Sequence, residues 1–349
     1  MSGELKDDTV IVKDQKEGSQ LYNKGNFGYP MSGGGSELDL IEATFLLECD
    51  RIEIFNKKNK LSFKEMFEHS SSVCKDFDII YLVYRDMRQR GFVVKPESGK
   101  FDLSVFPRGY TMSDSRPLYY VRAVSERTAL DFSDSSEEAS HTQDKGKRLL
   151  YGVVDEEGDL TYYDMSIKDP KGKISPSKND DKVVGHFISD RIFVFDENGI
   201  DKLRSNGHYG KVMGAVLQLS LIESCYLIGT GELQVLSPLG KELSENGIIE
   251  MGIKAQEEFE IRLKAFKDLK ERGLIVKTGF KYGTHFRVYE GSPDETHARY
   301  LVHAVPESKV VMWPEISRTV RLSGGVKKEI LFCRVGKSTE YLEFKWFRP

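Results

Sequence analysis

Hydrophobic positions divide this chain into elements that occur twice in the same order. Short apolar runs at 8–12 (DTVIV) and 190–195 (DRIFVF) predict strands. Apolar runs at 38–47 and 212–228 come next, and we interpret each as a buried helix. Both halves of the chain therefore open with strands and continue with a buried helix.

Each half continues with a longer amphipathic stretch. It predicts a helix that ends at Gly91 or Gly273, because glycine just past a helix end takes the left-handed conformation without a Cβ clash. Strands are predicted after each glycine. Their segments are GFVVK, RLLYGVV and DLTYY in the first half, and GLIVKTG, FRVY, RYLVHAV, EILFCRV and EYLEF in the second.

One stretch differs between the halves. The second half has WPEISRTVRLSGGV at 313–326, which predicts a helix that the first half lacks. The stretch at 131–144 in the first half holds five acids and no lysine or arginine. We expect that acidic insert to be a mobile surface loop.

The same order of elements reflects an internal repeat. YRDMRQRGFVVK (84–95) and FKDLKERGLIVK (266–277) are identical at five of twelve positions, and their offset is 182 residues. Three further segment pairs recur in order at an offset of 181 or 182: LYNKGNFG with LRSNGHYG, LIEATFLLECDRIEI with LIESCYLIGTGELQV, and YYVRAV with YLVHAV. The period is far too long for a solenoid, so the sequence predicts a tandem duplication with an α+β fold.

The boundary between the units is the polar stretch KDPKGKISPSKNDDK at 168–182, which is typical of a linker. The first unit then covers 1–167 and the second covers 183–349. Within the second unit we expect a small helical and β N-terminal subdomain at 183–256 and an α/β subdomain at 257–349.

Composition limits the classes of function. The 349 residues are 39% hydrophobic and 30% charged, as in a soluble globular protein, and the net charge of −4 requires any nucleic-acid-binding surface to be local. Four widely spaced cysteines without a CxxC pair argue against zinc and suggest reduced thiols in a cytoplasmic protein. The apolar stretch at 212–229 is interrupted by Gln218, Ser220 and Glu223, so we expect no membrane span.

The polar residues that differ between the copies are candidates for function. Tyr289 aligns with Pro107 and His297 aligns with Arg116, whereas Lys328 still faces a lysine, Lys147. The simpler interpretation is that the tyrosine packs in the core and the histidine is solvated. The copies keep the strands while the polar set survives in the second copy, which favours a functional role for Tyr289 and His297.

Two motifs of the second unit carry a resemblance to a known family. LKERGLIVKTGFKYGTHFRVYEGSPDETHARYLVHAV (269–305), followed by SRTVRLSGGVKKEILF (317–332), resembles the archaeal tRNA-splicing endonucleases, in the form that works as a homodimer of two-repeat chains. The resemblance implies a nuclease-type subdomain with a mixed sheet, a catalytic second unit and a degenerate first unit. It also implies cleavage of precursor tRNA at both splice sites of a bulge–helix–bulge.

The same resemblance implies a catalytic triad without a metal or cofactor. Tyr289 in FRVYEG would be the base, His297 in DETHARYLV the general acid, and Lys328 in GVKKE the charge on the phosphate. The products would be a 2′,3′-cyclic phosphate and a 5′-hydroxyl. Lys327 adjoins Lys328 and stands where the family more often has arginine, so the lysine assignment is the least secure of the three.

The motifs identify only some of the residues that would bind the RNA. Arg321 in TVRLSGG matches the first of two arginines that clamp a bulge base in the family. The second arginine is missing at the C-terminus, where the chain ends EFKWFRP. Trp346 would stack on a base there, or Arg348 would reach it, while the alternative for Trp346 is a core aromatic. Lys327 is a further candidate contact.

The first unit carries an acidic turn in VVDEEGDLTYY, formed by Asp155, Glu156, Glu157 and Asp159. In the family an acidic loop here docks into a basic pocket on a catalytic unit and drives assembly, which implies a homodimer. A solvated acidic turn is the alternative.

Two rival functions remain open at the level of sequence. Pro293-Asp294 followed by Glu307-Ser308-Lys309 fits the loose PD…ExK pattern of nucleases that hold Mg²⁺ through carboxylates. The other rival is a non-catalytic RNA-binding or assembly subunit.

Overall fold

The computed structural model describes residues 1–174 and 182–349, and it shows two units of matching architecture. The first unit contains, in order, β1 (Ser2–Lys6), β2 (Thr9–Val12), α1 (Gln15–Gly25), β3 (Tyr29–Pro30), β4 (Ser36–Asp39), α2 (Leu40–Glu48), β5 (Glu53–Asn56), β6 (Asn59–Lys60), α3 (Phe63–Val73), α4 (Phe77–Gln89), β7 (Val94–Pro96), β8 (Leu103–Val105), β9 (Tyr119–Ser125), β10 (Ala129–Asp131), α5 (Phe132–Asp144), β11 (Arg148–Val154) and β12 (Leu160–Lys168).

The second unit repeats that order. It contains β13 (Val183–Ile188), β14 (Arg191–Val194), α6 (Glu197–Gly207), β15 (Lys211–Met213), β16 (Val216–Leu219), α7 (Leu221–Gly229), β17 (Leu233–Leu236), β18 (Glu242–Leu243), α8 (Glu245–Ala255), α9 (Phe259–Glu271), β19 (Ile275–Thr278), β20 (Phe286–Tyr289), β21 (Tyr300–Pro306), β22 (Val310–Met312), α10 (Trp313–Gly325), β23 (Glu329–Val335) and β24 (Thr339–Phe347).

Each unit begins with a small subdomain built on a six-stranded sheet. The strand orders are β3-β4-β2-β1-β5-β6 and β15-β16-β14-β13-β17-β18. In both sheets a parallel pair, β1 with β5 or β13 with β17, brackets a short helix, α2 or α7, that is almost wholly buried. The predicted division between 256 and 257 falls between α8 and α9.

The amphipathic helices α4 and α9 end as the sequence predicted. Gly91 and Gly273 follow them with φ of 89° and 75°, values that glycine adopts without steric cost. Each helix packs its apolar face on the large sheet, to which the strands after it in the chain belong. It therefore links the small subdomain to that sheet.

One ten-stranded sheet joins the two units. Its order is β19-β20-β21-β23-β24-β12-β11-β9-β8-β7, so the second unit supplies the first five strands and the first unit the last five. The junction is the antiparallel pair β12–β24, which runs from Tyr162 opposite Phe347 to Lys168 opposite Tyr341. Parallel pairs, β9 with β11 and β21 with β23, lie among antiparallel ones, which makes the sheet mixed as expected.

A hydrophobic core that draws on both units covers one face of this sheet under α5 and α10. Phe132, Phe332 and Phe344 meet there, and the ring centroids of Phe132 and Phe344 are 6.3 Å apart. A second link is the small sheet β10–β22, in which Leu130 pairs with Val311. The two units therefore share this core and are not structurally independent.

Two predictions about elements were wrong. The run at 212–228 is not one helix, since β15 and β16 occupy 211–219 and α7 begins at Leu221 behind the cap of Ser220. The acidic insert at 131–144 is not a mobile loop. It forms α5, which occupies in the first unit the place of α10, so the helix is not confined to the second unit.

A buried lysine ties the small subdomain to the large sheet in each unit. In the first, Lys95 donates to Glu42 at 2.6 Å and to the carbonyl of Gly28 at 3.1 Å, with both charged side chains almost fully buried. In the second, Lys277 donates to the carbonyl of Gly210 at 2.8 Å, and its ammonium lies 3.9 Å from Glu223. Burial alone would raise the pKa of Glu42, and the ammonium of Lys95 opposes that rise.

The predicted linker at 168–182 is described at 168–174 and at 182, and its remaining residues lie outside the described part of the chain. In the described ranges, no helix has the length and apolar character needed to cross a membrane.

Removing one buried ring should destabilise both units together. We expect Phe344→Ala to lower the free energy of unfolding by about 3–5 kcal/mol, because it deletes a ring from the shared core. Chemical denaturation followed by circular dichroism measures this. Phe280→Ala is the matched control, since Phe280 is 86% exposed, and it should change stability by less than about 0.5 kcal/mol. Separate transitions for the two units would contradict a shared core.

Candidate active site

Tyr289 is the last residue of β20 and pairs with Ile275 of β19. Its ring is 7% exposed and packs with Ile275, Ala298 and Ile174 in a small cluster of its own. The guanidinium carbon of Arg287 lies 5.9 Å from the centroid of the ring. The tyrosine is therefore held by packing at the end of a strand, with a cation nearby.

The strand register corrects the residue that the first unit has in this place. Val276 pairs with Val288 in the second unit, and the matching Val94 pairs with Val105 in the first. The residue after Val105 is Phe106, so Phe106 corresponds to Tyr289 and the earlier alignment with Pro107 was wrong. Because Phe106 is also buried, the two copies differ at this position by one hydroxyl group.

His297 lies in the loop that joins β20 to β21, and its side chain is exposed. The loop turns on Ser292, whose carbonyl accepts the amide of Thr296 at 2.9 Å. Asp294 of the loop lies 3.8 Å from Nδ1 of His208 in the small subdomain. In the first unit the matching contact joins Asn26 to the amide of Met112 at 3.0 Å, so both small subdomains hold this loop.

Lys328 stands just before β23 and is half-buried. Its ammonium donates to the carbonyl of Ala298 at 2.9 Å, and Lys147 of the first unit donates to the carbonyl of Pro117 at 2.8 Å. The residue before it, Lys327, has φ of 52°, where the first unit has Gly146 with φ of 66°. That left-handed turn sets the direction of the lysine in both units, and Lys327 itself is exposed.

Ala298 brings the three candidate residues together. It follows His297 in the chain, its side chain packs with the Tyr289 ring, and its carbonyl accepts the Lys328 ammonium. The Tyr289 ring and the Lys328 ammonium thus both contact Ala298, and His297 is its neighbour in the chain. Such a set can remove a proton, supply a proton and stabilise negative charge.

A groove of about 400 Å³ adjoins Lys328. Arg321, Lys345 and Trp346 line it, and Trp346 is 54% exposed, so it is not a core aromatic. The guanidinium of Arg348 lies 4.1 Å from the Trp346 ring centroid, outside the groove lining. The groove thus contains two of the predicted RNA-binding residues, while Lys327 and Arg348 lie beside it. Sequence reasoning missed Lys345.

The acidic turn of the first unit is a tight hairpin between β11 and β12. Asp155 accepts the amides of Glu157 and Asp159 at 3.0 and 2.9 Å, so this carboxylate shapes the turn. Glu156 forms an ion pair with Arg127 at 2.5 Å. Glu157 and Asp159 are exposed and present the remaining negative charge to solvent.

A basic pocket of about 570 Å³ lies between the small subdomain and the sheet of the second unit. Its cations are Lys211, Arg262, Lys277, Lys281 and Arg287, and Glu223 is the acid in its lining. The Nε atoms of Arg262 and Arg287 are buried and lack a hydrogen-bond partner in the described part of the chain. The pocket is therefore suited to an anionic group, and no sequence pattern indicated where it would form.

Comparison with known proteins identifies the family. A model of the catalytic C-terminal domain of tRNA intron endonuclease matches residues 77–162 and again 259–343, and the model of its N-terminal domain matches 1–67 and 183–249. The chain belongs to the tRNA intron endonuclease family. Membership in this family confirms the resemblance and the duplicated α+β organisation that were predicted from the sequence.

Proteins named tRNA-splicing endonuclease resemble the chain over nearly its whole length. The chain is 34% identical to one from Methanococcoides burtonii over 338 residues, 95% of each chain. It is 35% identical to one from Methanosarcina mazei over 345 residues, 97% of each. A relative from Halobacterium salinarum is 31% identical over 352 residues, covering 95% of this chain and 94% of its own.

The magnesium-dependent alternative does not fit the site geometry of this family member. Asp294 precedes β21 and Glu307 follows it, so the whole seven-residue strand separates the two carboxylates. Seven residues of strand span roughly 23 Å, whereas two ligands of one metal ion lie within a few ångströms of each other. Asp294 and Glu307 instead lie near His208 and Arg334.

A half-buried histidine pair is a feature that the second unit does not share with the first. Nδ1 of His285 accepts the amide of Ala304 at 3.1 Å, and the ring of His303 lies 5.3 Å away. The first unit has Asp102 and Arg122 in these places. Burial, and then the positive charge of Arg262, lowers the pKa of His285 to about 3 and that of His303 to about 4.

This pair should make the second unit sensitive to acid. An unfolded histidine has a pKa near 6.5, so below that pH the unfolded chain binds protons that the folded chain does not. We expect the free energy of unfolding to fall by roughly 2–3 kcal/mol for His303 between pH 6.5 and 4. Urea denaturation across this range, compared with His303→Gln, measures the effect.

His186→Gln is the matched control for that experiment, since His186 is exposed on β13. His303→Gln should flatten the dependence of stability on pH, whereas His186→Gln should leave it steep. Equal slopes for all three proteins would show that the half-buried pair is not the source.

Proposed function

We propose that the second unit of this chain is a metal-independent RNA endonuclease that cleaves precursor tRNA at both splice sites of a bulge–helix–bulge. The observation that carries the proposal is that Tyr289 and Lys328 both contact Ala298, the residue that follows His297. The family and the names of the relatives support tRNA splicing as the process.

The first unit supports assigning the chemistry to the second. It has Phe106 for Tyr289 and Arg116 for His297, while Lys147 keeps the position and the hydrogen bond of Lys328. A phenylalanine cannot exchange a proton, and arginine stays charged at any working pH. The first unit therefore retains the scaffold of the site without its acid and base.

The reaction follows from the chemistry of the three side chains. Tyr289 takes the proton of the 2′-hydroxyl, and the resulting oxyanion attacks the adjacent phosphorus. His297 gives a proton to the departing 5′-oxygen, a step for which imidazole is the side chain most often used. The P–O5′ bond breaks, and the products are a 2′,3′-cyclic phosphate and a 5′-hydroxyl.

Cations are required at two points of this mechanism. Lys328 offsets the charge that develops on the five-coordinate phosphorane. A phenol acts as a base only in its deprotonated form, and Arg287 places a positive charge beside the Tyr289 ring.

The groove beside Lys328 accounts for recognition of a bulge. Bases in a bulge are unstacked, and an exposed Trp346 offers a ring face to one of them. Arg321 and Lys345 supply positive charge to the backbone next to the site of cleavage. Arg348 packs against Trp346 and fixes the orientation of its ring.

The acidic hairpin and the basic pocket together support a homodimer. Glu157 and Asp159 on one chain carry negative charge that complements the lysines and arginines lining the pocket on another. Each chain offers one hairpin and one pocket, so a two-fold arrangement satisfies both. Two catalytic units then face the two cleavage sites of one substrate.

Exchanging residues between the copies tests the assignment of the base. We expect Tyr289→Phe, which installs the residue of the first unit, to lower the single-turnover cleavage rate of a precursor tRNA by about 10²–10⁴-fold with RNA binding retained. His297→Ala should do the same. Cleavage by the wild-type protein should persist in excess EDTA, and end-group analysis should find the cyclic phosphate.

Phe106→Tyr and Arg116→Ala are the matched controls in the first unit, and both should leave the rate unchanged. Full activity in Tyr289→Phe and His297→Ala would overturn the proposed site. Loss of cleavage in EDTA that added Mg²⁺ restores would favour a metal-dependent nuclease. RNA binding without cleavage by the wild-type chain would favour the non-catalytic subunit.

Charge reversal tests the dimer. Glu157→Lys with Asp159→Lys should convert the chain to a monomer in sedimentation, and so should Lys211→Glu with Lys281→Glu. Mixing the two doubly substituted chains should restore the dimer, because each hairpin then meets a pocket of opposite charge.

The control for charge reversal is Glu197→Lys with Asp201→Lys, two exposed acids on α6. This variant should remain dimeric. A wild-type chain that sediments as a monomer, or a mixture that stays monomeric, would contradict the proposed contact.

A further inference from the structure

The chain leaves the shared sheet at Lys168 and then runs along the second unit. Residues 169–174, here called the strap, make three main-chain hydrogen bonds to that unit. Gly172 and Ile174 donate to the carbonyls of Arg272 and Gly273 at 2.9 and 3.0 Å, and Lys173 donates to the carbonyl of Glu290 at 3.2 Å. The strap therefore binds on both sides of the β19–β20 hairpin.

The strap fits its site closely. A Cβ atom added to Gly172 would lie 2.0 Å from the carbonyl oxygen of Gly273, and one added to Gly273 would lie 2.7 Å from the carbonyl oxygen of Ile174. Two glycines thus let the backbones touch. In the first unit, a Cβ on the matching Gly91 would meet no described atom within 4 Å.

A side-chain network anchors the start of the strap. Asp169 accepts from Arg272 at 2.5 Å, and Arg272 also donates to Asp268 at 2.6 Å. Asp268 in turn accepts the hydroxyl of Tyr341. The first unit keeps the inner part of this network as Arg90, Asp86 and Tyr162, and Asp169 is the addition that belongs to the strap.

The strap ends at the candidate base. The Ile174 side chain packs into the cluster of Tyr289, Ile275 and Ala298. The carbonyl that Lys173 bonds belongs to Glu290, the residue after Tyr289. Tyr289 therefore has strap contacts against its ring and beside its main chain.

The position of Tyr289 near the edge of the sheet explains why contacts from the strap matter. β19 is the outermost strand of the ten-stranded sheet, and β20 is a four-residue strand next to it. Short strands at an edge open locally more easily than central ones. A base that must lie within hydrogen-bonding reach of a 2′-hydroxyl loses rate steeply when it is displaced by an ångström.

We propose that the strap is a positioning element of the active site, which holds Tyr289 and the start of the histidine loop in place. This inference rests on the proposed role of Tyr289 as base. It gives the connection between the units a task beyond tethering, because the segment that follows the non-catalytic unit sets the geometry of the catalytic one. Ile174 and Gly172 are positioning residues and do not touch the substrate.

The test separates kcat from KM. Ile174→Ala removes the contact with the ring and Gly172→Ala displaces the strap, so each should lower kcat for precursor tRNA by about 10-fold or more. KM should change less than about twofold, since the groove is unaltered. Ile174→Leu, which restores the apolar volume, should recover most of kcat. Ile188→Ala, an exposed isoleucine on β13, should leave kcat unchanged.

A second background distinguishes positioning from general stability. On Tyr289→Phe, Ile174→Ala should have no further effect on the residual rate, because the hydroxyl that the strap positions is gone. An equal loss on both backgrounds, or no loss of kcat in folded Ile174→Ala, would overturn the role of the strap. Unchanged cleavage in Tyr289→Phe alone would instead overturn the proposed role of Tyr289 as base. The results therefore distinguish a failure of the proposed strap from a failure of the proposed base.

Discussion

The antiparallel pairing of β12 with β24 is the contact on which the rest of this structure depends. It makes two half-sheets continuous and creates the core under α5 and α10 that neither unit could bury alone. The pairing also carries charge. Glu343 on β24 is almost fully buried, and it lies 3.2 Å from Lys168 of the first unit and 2.9 Å from Lys345 of its own. The buried carboxylate thus holds a cation of the groove at the junction.

This junction gives the first unit a structural role at the groove. Trp346 and Lys345 of the groove stand on β24, and their partners across the pairing are Tyr163 and Asp164 of the first unit. Without β12, β24 would be an edge strand, and the residues proposed to grip a bulge base would have no fixed register. The first unit therefore supports the site from one side through the sheet and from the other through the strap.

Much of the fold followed from the sequence, and the exceptions have physical causes. The repeat, the ends of α4 and α9 and the closing hairpins depend on local patterns and were predicted. β15 and β16 were mistaken for helix because a continuous apolar run does not reveal its period. Ser220 followed by Glu223, a capping box, was the signal for the true start of α7.

Other features depend on contacts between distant parts of the chain. The helix α5 looked too polar to be ordered, yet it buries small residues such as Ser135 and Ala139, and Glu138 accepts the hydroxyl of Tyr151. Long-range packing overrides composition there. The basic pocket and the strap likewise bring together residues far apart in the chain, such as Ile174 and Ala298, which are 124 positions apart, and no local pattern encodes such contacts. The one-residue error at Pro107 arose because the loops of the two copies differ in length.

Whether the first unit keeps or replaces each of the three candidate residues follows from the contribution of that residue to the fold. Lys147 and Lys328 both bond a carbonyl just before the neighbouring parallel strand, β9 or β21, so losing this lysine would cost a structural contact in either unit. The Tyr289 ring fills a small core and survives as Phe106, with the hydroxyl alone removed. His297 is exposed, and the first unit has Arg116 in its place. Retention of a candidate residue in both copies therefore reports its structural role. The groups that the first unit replaces, the Tyr289 hydroxyl and the His297 imidazole, are the two to which the proposed mechanism assigns proton transfer.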